Sequence, residues 1–264
     1  MPGPNLFWVR LGRAKLPLSR RVAEPPFTFG RALSAGHGSA GASPSRGKPH
    51  GFFSPPLLGL VINSRVKQTI VTLDLEGVLV PEIWIAVAEK TGIEALRRTT
   101  RDEPDYDVLM RYRLELLAEN NLKLSDIQSV IATLAPMDGA KTFLDELRAR
   151  TQVVILSDTF LQFATPLMRQ LDWPALFCHQ LEVRDDVIVN YHLRQPDQKR
   201  RSVAAFKSLN YEVTAIGDAY NDTTMLAEAD KGILFRAPAN VIEEFPQFPA
   251  VTEYDELKEL IFEK

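Results

Sequence analysis

Cysteine is nearly absent from this sequence of 264 residues, which contains only Cys178. A single cysteine cannot form a disulfide within the chain and cannot build a zinc site of several thiolates. A chain with so few thiols suits a reducing compartment, and we expect a cytoplasmic protein.

Long apolar runs are lacking as well. The longest apolar tract near the N-terminus, residues 52–62, is too short to span a bilayer and contains Pro55 and Pro56. No compact apolar core follows the first basic residues, so we see no secretory signal and expect no membrane partner. The chain also has no Gly-x-x-x-x-Gly-Lys-Ser/Thr loop, which disfavours an ordinary ATP-dependent kinase. The net charge of −3 gives no indication of a nucleic-acid partner.

Residues 1–65 differ in composition from the rest of the chain. They are rich in Pro, Gly, Ser and Arg, and residues 1–64 hold eight Lys and Arg against one acid. Such composition has little apolar surface to bury, and it predicts a disordered extension. It is compatible with an organelle transit peptide, with weak nucleic-acid binding, or with upstream sequence included through a misassigned start. We favour the last interpretation.

Strand and helix patterns alternate from Gln68 onward, which predicts an α/β fold with a parallel sheet. The predicted strands cover residues 69–75, 153–157, 177–183, 187–193, 212–216 and 231–235. The predicted helices cover residues 82–91, 105–119, 124–133, 138–149, 160–171, 197–209, a segment from about 221, and 254–262. Asp185 and Asp186 separate two strand patterns and suit a hairpin. Four helices between the first two strands are too many for one crossover, so residues 81–137 are expected to form a helical cap. The core is then made of residues 66–80 and 138–264.

Two polar motifs follow the first two predicted strands. Asp74, Glu76 and Gly77 end an apolar run, and such a strand end is where open α/β sheets present catalytic groups. Ser157 and Asp158 end the next strand, where a hydroxyl and backbone N–H groups can bind a phosphate oxygen. Each motif alone has a structural alternative, since acids and Ser often only cap turns and helix starts.

Two further motifs lie later in the chain. Lys199 stands at a predicted helix start, where a point charge can bind a phosphate or a phosphoaspartate. Arg200 and Arg201 are rival candidates, and a solvated basic face is the structural alternative. Asp218 and Asn221, with a second acid at 222, follow another strand, and carboxylates so placed suit Mg²⁺.

Taken together, these motifs resemble those of the haloacid dehalogenase (HAD) superfamily. Longer stretches are similar to the bacterial phosphoserine phosphatases that also act as homoserine phosphotransferases, the ThrH type. These stretches are residues 74–90 (DLEGVLVPEIWIAVAEK), 100–111 (TRDEPDYDVLMR), 157–171 (SDTFLQFATPLMRQL) and 217–226 (GDAYNDTTML). Most HAD phosphatases have Asp where this chain has Glu76, and Glu is what the narrower family has. The resemblance covers about residues 69–260, and it implies a HAD-type, Rossmann-like core with a helical cap.

The resemblance implies a role for each motif. Asp74 would be the nucleophile that forms an aspartyl-phosphate, and Glu76 would be the general acid and base. Lys199 and Ser157 would neutralise and orient the phosphoryl oxygens. The Mg²⁺ ion would be held by Asp74, the backbone carbonyl of Glu76 and Asp218. Asp158 and Asn221, within the same motifs, are expected to take part in substrate binding.

Arg113 is also indicated by helical periodicity, because its neighbours at three and four residues on either side are apolar. A cation on such a face needs an anionic partner. That partner is either structural, such as Asp105 or Glu115, or the substrate carboxylate, which the resemblance favours. Glu82 is a candidate for the substrate ammonium, or else an acid that only stabilises a helix N-terminus.

The resulting expectation is Mg²⁺-dependent hydrolysis of the small molecule phosphoserine. Transfer of the phosphoryl group from phosphoserine to homoserine is the nearest alternative, because only the acceptor differs. A phosphatase for another small phosphomonoester is a third. A catalytically inactive regulatory protein is disfavoured, since no motif position is lost. The sequence does not indicate an oligomeric state.

Overall fold

The computed structural model describes residues 67–100, 102–103 and 105–263. The predicted N-terminal extension, residues 1–65, lies outside the described residues. No helix in the described part of the chain is long and apolar enough to cross a membrane.

The described residues form a seven-stranded sheet in the order β4-β3-β2-β1-β5-β6-β7. All neighbouring strands are parallel except β3 and β4. The strands are β1 (Gln68–Leu73), β2 (Gln152–Phe160), β3 (Ala175–Arg184), β4 (Val187–His192), β5 (Tyr211–Gly217), β6 (Lys231–Phe235) and β7 (Ala250–Val251). The predicted α/β fold with a parallel sheet is confirmed.

β1 lies at the centre of the sheet, between β2 and β5, and its apolar residues suit this position because a central parallel strand is buried on both faces. Its last residue, Leu73, pairs with Ile155 of β2 and with Ile216 of β5. All three side chains are completely buried. The next residue in the chain, Asp74, therefore emerges at the carboxyl edge of the sheet, between two neighbouring strands.

Nine α-helices are present in the described part of the chain. They are α1 (Ile83–Thr91), α2 (Tyr106–Glu119), α3 (Leu124–Ile131), α4 (Ala140–Arg148), α5 (Leu161–Gln170), α6 (Gln198–Ser208), α7 (Thr223–Glu228), α8 (Ala239–Glu244) and α9 (Tyr254–Phe262). Helices α1 to α4 follow β1 and precede β2, as predicted. The division into a cap of residues 81–137 and a core stays a prediction.

Two apolar clusters pack against the sheet. The larger contains residues of β1 and β2 with residues of α1 to α5 and α9, including Phe143 and Phe163. The smaller contains residues of β5 and β6 with residues of α6, α7 and α8, including Val203 and Met225. Helices thus cover the sheet in the way that buries the apolar side chains of its parallel strands.

The predicted hairpin between β3 and β4 is confirmed. Asp185 and Asp186 both have positive φ, 49° and 67°, which a tight two-residue hairpin requires. The carbonyl of Asp186 accepts the N–H of Leu124 at 2.9 Å, and its carboxylate accepts the N–H of Ser125 at 3.0 Å. The turn therefore caps the start of α3.

Candidate active site

The carboxyl ends of β1, β2 and β5 meet at one edge of the sheet, and the start of α6 faces them. A cavity of about 290 Å³ opens there. Every site residue that the sequence predicts lines this cavity: Asp74, Glu76, Glu82, Arg113, Ser157, Asp158, Lys199, Asp218 and Asn221. The folded chain thus brings together motifs from five separate segments.

Asp74 is buried and held on both sides. Its backbone N–H donates to the carbonyl of Ile216 at 3.0 Å, which extends the pairing of β1 with β5 by one residue. Its Oδ1 accepts the N–H of Leu75 at 2.7 Å, and its Oδ2 lies 2.8 Å from Lys199 Nζ. The carboxylate is therefore fixed in one orientation, as a nucleophile requires.

Glu76 lies on the tight turn that follows Asp74. Its Oε2 accepts the N–H of Ile83 at 2.8 Å. Burial, with a contribution from the neighbouring charge of Glu82, raises the pKa of the Glu76 carboxyl to about 8. The group can therefore hold a proton near neutral pH and donate it.

Gly77 is required at this turn for two reasons. Its φ is +73°, and a Cβ built on it would lie 2.4 Å from the carboxylate of Asp218. No side chain fits in that space, so the chain needs glycine to bring the turn against Asp218.

Lys199 is 2% exposed and lies among several carboxylates. Its Nζ is 2.7 Å from Asp222 Oδ1 and 3.6 Å from Asp158 Oδ2, in addition to its contact with Asp74. Burial alone would lower the pKa of Lys199, but the charges of Asp222, Asp74 and Asp158 outweigh it and raise the pKa well above its ordinary value. The lysine therefore stays charged.

The rival arginines are placed elsewhere. Arg200 forms ion pairs with Asp197 and Glu228, and Arg201 is exposed. Neither lines the cavity, so Lys199 is the cation of this motif at the site.

Asp158 connects the second motif to the others. Its Oδ2 accepts from Asn221 Nδ2 at 3.1 Å, and its Oδ1 accepts from Gln198 Nε2 at 3.3 Å. Burial alone would raise the pKa of Asp158, but the charge of Lys199 and hydrogen bonds from His179 and Asn221 hold it below its ordinary value. Asp158 is thus an ionised residue that orients its neighbours.

Ser157 is buried beside Asp158, just beyond the last residue of β2 that pairs with β1. Its Oγ accepts the N–H of Thr159 at 3.2 Å. Its carbonyl accepts from Gln198 Nε2 at 2.7 Å, which joins β2 to the first turn of α6. The hydroxyl proton of Ser157 can therefore be donated into the cavity.

Asp74, Asp218 and Asp222 can hold a cation together. Each offers a carboxylate oxygen, and these atoms lie within 4.8 Å of one another. Burial, with the charges of Asp222 and Asp218, raises the pKa of Asp74 well above its ordinary value even though Lys199 opposes the shift. The buried carboxylates thus outnumber the single ammonium, and a hard divalent cation would balance them.

Asp222 holds the turn that carries Asp218, a role that the sequence motif alone does not specify. Its Oδ2 accepts the N–H of Asp218 at 3.0 Å and the N–H of Ala219 at 3.2 Å. A Cβ on Gly217 would lie 2.3 Å from Asp222, so glycine is needed there too. The spacing of four residues from Asp218, on one tight turn, is the signal in the sequence that indicates this residue.

Arg113 is 6% exposed on α2. Its Nη2 donates to the carbonyl of Arg98 at 2.7 Å, and its guanidinium carbon lies 4.5 Å from the ring centroid of Trp84. Its Nε is buried and has no hydrogen-bond partner among the described residues. Burial lowers the pKa of Arg113 to about 10, so the group stays charged at neutral pH.

The two structural partners considered for Arg113 do not pair with it in the described part of the chain. Asp105 instead caps α2, since its Oδ1 accepts the N–H groups of Asp107 and Val108 at 2.9 and 3.2 Å. Glu115 is exposed. Since neither of these acids pairs with Arg113, its unpaired Nε is suited to an anionic ligand.

Glu82 immediately precedes α1 and lines the same cavity, but its side chain makes no capping hydrogen bond. The alternative role, an acid that stabilises the N-terminus of α1 through the helix dipole, needs no such bond and is not tested by its absence. The charge of Glu82 acts on both Glu76 and Arg113, so an anion and a cation lie at the same end of the cavity.

Several cavity residues were not predicted. Trp84 and Tyr106 lie on helices whose aromatic residues are expected to be core, and only the packing of α1 and α2 shows that they line the cavity. The hydroxyl of Tyr106 donates to the carbonyl of Asp158 at 3.0 Å. Its position seven residues before Arg113, on the same face of α2, is the signal that could have indicated it.

Comparison with known proteins finds a matching hydrolase family and relatives that are named as phosphoserine phosphatases. The haloacid dehalogenase-like hydrolase family matches residues 69–230. "Phosphoserine phosphatase ThrH" of Pseudomonas aeruginosa is 68% identical over 190 residues, which are 72% of this chain and 93% of that protein. "Phosphoserine phosphatase" of Pseudomonas syringae pv. tomato is 68% identical over 204 residues, which are 76% of this chain and 86% of that protein.

Solved structures show the same fold at lower identity. A phosphoserine phosphatase in its apo form matches with a TM-score of 0.62 at 21% identity, over 75% of this chain and all of that one. A phospho-aspartyl intermediate analogue of phosphoserine phosphatase matches with a TM-score of 0.62 at 20% identity, over the same shares of the two chains.

Proposed function

This chain belongs to the haloacid dehalogenase-like hydrolases, and we propose that it hydrolyses O-phosphoserine to serine and inorganic phosphate. The observation that carries the proposal is the cavity in which Asp74 lies against Lys199, with Glu76, Arg113 and Ser157 in the same wall. The names of the two relatives at 68% identity support the choice of substrate.

Asp74 is the proposed nucleophile. One of its carboxylate oxygens attacks the phosphorus, a bond forms between them, and the bond from phosphorus to the seryl oxygen breaks. Water then attacks the phosphorus of the aspartyl-phosphate, inorganic phosphate leaves, and the carboxylate of Asp74 is restored. The fixed orientation of Asp74, with Leu75 and Lys199 at its two oxygens, supports this role.

Glu76 moves the proton in both steps. In its protonated form it donates to the departing seryl oxygen, and it then accepts a proton from the attacking water. The hydrogen bond from Ile83 fixes the carboxyl two residues beyond the nucleophile, which supports this role.

Lys199 and Ser157 stabilise the phosphoryl group. The ammonium offsets charge on the phosphoryl oxygens, and the hydroxyl of Ser157 donates a hydrogen bond to one of them. Asp158 and Asn221 act beside them, because their mutual hydrogen bond and the contact of Asp158 with Lys199 hold this wall of the cavity in place.

Mg²⁺ is part of the proposal. Asp74, Asp218 and the backbone carbonyl of Glu76 would hold it, with the carboxylate of Asp222 close by. When bound, the ion supplies the positive charge that allows a carboxylate and a phosphate dianion to approach each other.

Arg113 and Glu82 recognise the amino-acid part of the substrate. The unpartnered Nε of Arg113 suits a carboxylate, and Glu82 suits the ammonium on the same carbon atom. Phosphoserine carries both groups, whereas simple phosphate esters carry neither. The paired charges at one end of the cavity therefore favour phosphoserine over other small phosphomonoesters.

The proposed phosphoenzyme can transfer its phosphoryl group to water or to the hydroxyl of another molecule. Water gives hydrolysis, and the hydroxyl of homoserine would give the phosphotransfer that the sequence resemblance implies. We propose hydrolysis as the principal reaction. We also propose that the protein acts in the cytoplasm, since a chain with a single cysteine suits a reducing compartment.

The purified full-length chain should be incubated with phosphoserine and Mg²⁺, and serine and phosphate should be measured. We expect both products in equal amounts, loss of turnover with a chelator, and recovery with Mg²⁺. A parallel reaction with homoserine, followed by ³¹P NMR, measures phosphohomoserine directly. Turnover of phosphoserine no faster than that of an ester without amino and carboxylate groups would contradict the proposed specificity.

A further inference from the structure

We propose that Tyr254, on α9 and outside the cavity, is a positioning residue for the turn that carries Glu76. The inference rests on the proposed role of Glu76 in proton transfer. The hydroxyl of Tyr254 donates to the carbonyl of Val78 at 2.6 Å, and this hydrogen bond is buried.

The turn of residues 75–80 is closed by its own backbone. The N–H of Gly77 donates to the carbonyl of Val80 at 2.9 Å, and the N–H groups of Leu79 and Val80 donate to the carbonyl of Leu75 at 2.9 and 3.0 Å. These bonds make the turn a compact unit. Its position then depends on the contacts that join it to the rest of the chain.

Two carbonyls of the turn accept hydrogen bonds from other segments. The carbonyl of Leu79 accepts the N–H of Met137 at 2.9 Å, where the chain returns from α3 toward α4. The carbonyl of Val78 accepts the hydroxyl of Tyr254. The second contact links the turn to the last helix of the chain, and it depends on a single side-chain atom.

Tyr254 is itself held rigidly. Its ring centroid lies 4.8 Å from that of Phe143 and 4.8 Å from that of Phe235. The guanidinium carbon of Arg236 lies 4.8 Å from the same ring. Because the ring is packed on several sides, the hydroxyl is already oriented toward Val78 and little freedom is lost in making the bond.

Val78 is close enough to Glu76 for its position to matter. Glu76 and Val80 pair as an isolated bridge on either side of Val78, and Gly77 lies against Asp218. A movement of the Val78 carbonyl therefore displaces Glu76 relative to the substrate oxygen. Catalytic groups tolerate such displacement poorly, and about 1 Å can cost about a hundredfold in rate.

Tyr254→Phe tests this because it removes only the hydroxyl and keeps the packed ring. We expect kcat/KM for phosphoserine to fall by about tenfold, the effect of one lost hydrogen bond on a positioned group. For an aryl phosphate, whose leaving oxygen needs little help from an acid, we expect a fall of less than about twofold. The matched control is Tyr191→Phe, which removes a hydroxyl bonded to Asp107 away from the turn and should leave both values unchanged.

A double-mutant cycle identifies the residue through which Tyr254 acts. In a Glu76→Gln background, Tyr254→Phe should lower kcat/KM for phosphoserine by less than about twofold further, because the positioned group is already lost. The inference would be overturned if kcat/KM fell equally for phosphoserine and the aryl phosphate, or if the losses of the two substitutions were additive in the cycle. It would also be overturned if Tyr254→Phe raised the Mg²⁺ concentration needed for activity without changing the ratio of the two kcat/KM values. Should Tyr254→Phe fold poorly, Phe143→Leu loosens the ring while keeping the hydroxyl and should show the same leaving-group dependence.

The failure of this inference can be separated from the failure of the proposed function. If Glu76→Gln turns over phosphoserine at the wild-type rate, the proton-transfer role of Glu76 is wrong. If Glu76→Gln is slow and Tyr254→Phe is not, only the positioning role of Tyr254 is wrong.

Discussion

For Arg113, the sequence predicts the need for an anionic partner, and the structure shows which candidate partners do not pair with it. Its apolar neighbours on α2 predict a cation that needs an anion, and helical periodicity alone supplies that prediction. The sequence could not choose between a structural and a substrate partner, because that choice depends on where α1 and α2 pack. In the structure Asp105 caps the helix instead, and a nitrogen of Arg113 is left for a ligand.

Arg113→Ala should raise KM for phosphoserine by about tenfold to a hundredfold, the range for a lost hydrogen bond to a charged group. The kcat/KM for an aryl phosphate, which has no carboxylate, should change by less than about threefold. Steady-state kinetics with the two substrates gives the comparison, with Arg113→Lys as the control that keeps the charge. Equal losses with both substrates would instead mark Arg113 as a residue that only stabilises the fold.

The catalytic candidates could be predicted individually because each follows an apolar strand or begins a helix. Trp84 could not, since an aromatic residue on an amphipathic helix has the same pattern whether it faces a core or a cavity, and Tyr106 is indicated only by sharing the face of α2 that carries Arg113. Their place in the cavity follows from tertiary packing, which a single sequence does not specify.

At the scale of elements, segments with a clear apolar pattern were predicted well, and two short elements near the C-terminus were missed. The helix predicted over residues 105–119 is observed as Tyr106–Glu119, and the predicted strand at residues 231–235 is observed with the same bounds. The short helix Ala239–Glu244 and the two-residue strand Ala250–Val251 were missed. Such elements are too short to show a period, and tertiary contacts stabilise them instead.

The start of α2 is set by the Asp105 side chain. Asp105→Ala should lower the free energy of unfolding by about 1 kcal/mol, because two N–H groups of the first turn lose their acceptor. Asp105→Asn should retain most of that stability, since an amide oxygen can cap as well. Urea denaturation of the three proteins measures the difference. A loss of similar size in both variants would show that the charge of Asp105, and not its capping bonds, matters.

At the scale of the whole molecule, the parallel sheet explains why distant motifs meet. Parallel strands end at the same edge, so Asp74, Ser157 and Asp218 come together once the strand order places β1 between β2 and β5. The sequence predicts the parallel sheet and the strand ends, but the order of the strands depends on packing that the pattern does not reveal. Residues 1–65 lie outside this description, and their predicted disorder stays a prediction.

The most direct test of the account is to trap the phosphorylated enzyme. Full-length protein mixed with phosphoserine and Mg²⁺ is quenched in acid within one turnover, and intact mass and peptide mapping locate any phosphoryl group. We predict one acyl-phosphate on Asp74, absent from a folded Asp74→Asn variant that turns over at less than about a hundredth of the wild-type rate. A phosphoryl group on another residue, or an Asp74→Asn variant that retains activity, would contradict Asp74 as the nucleophile.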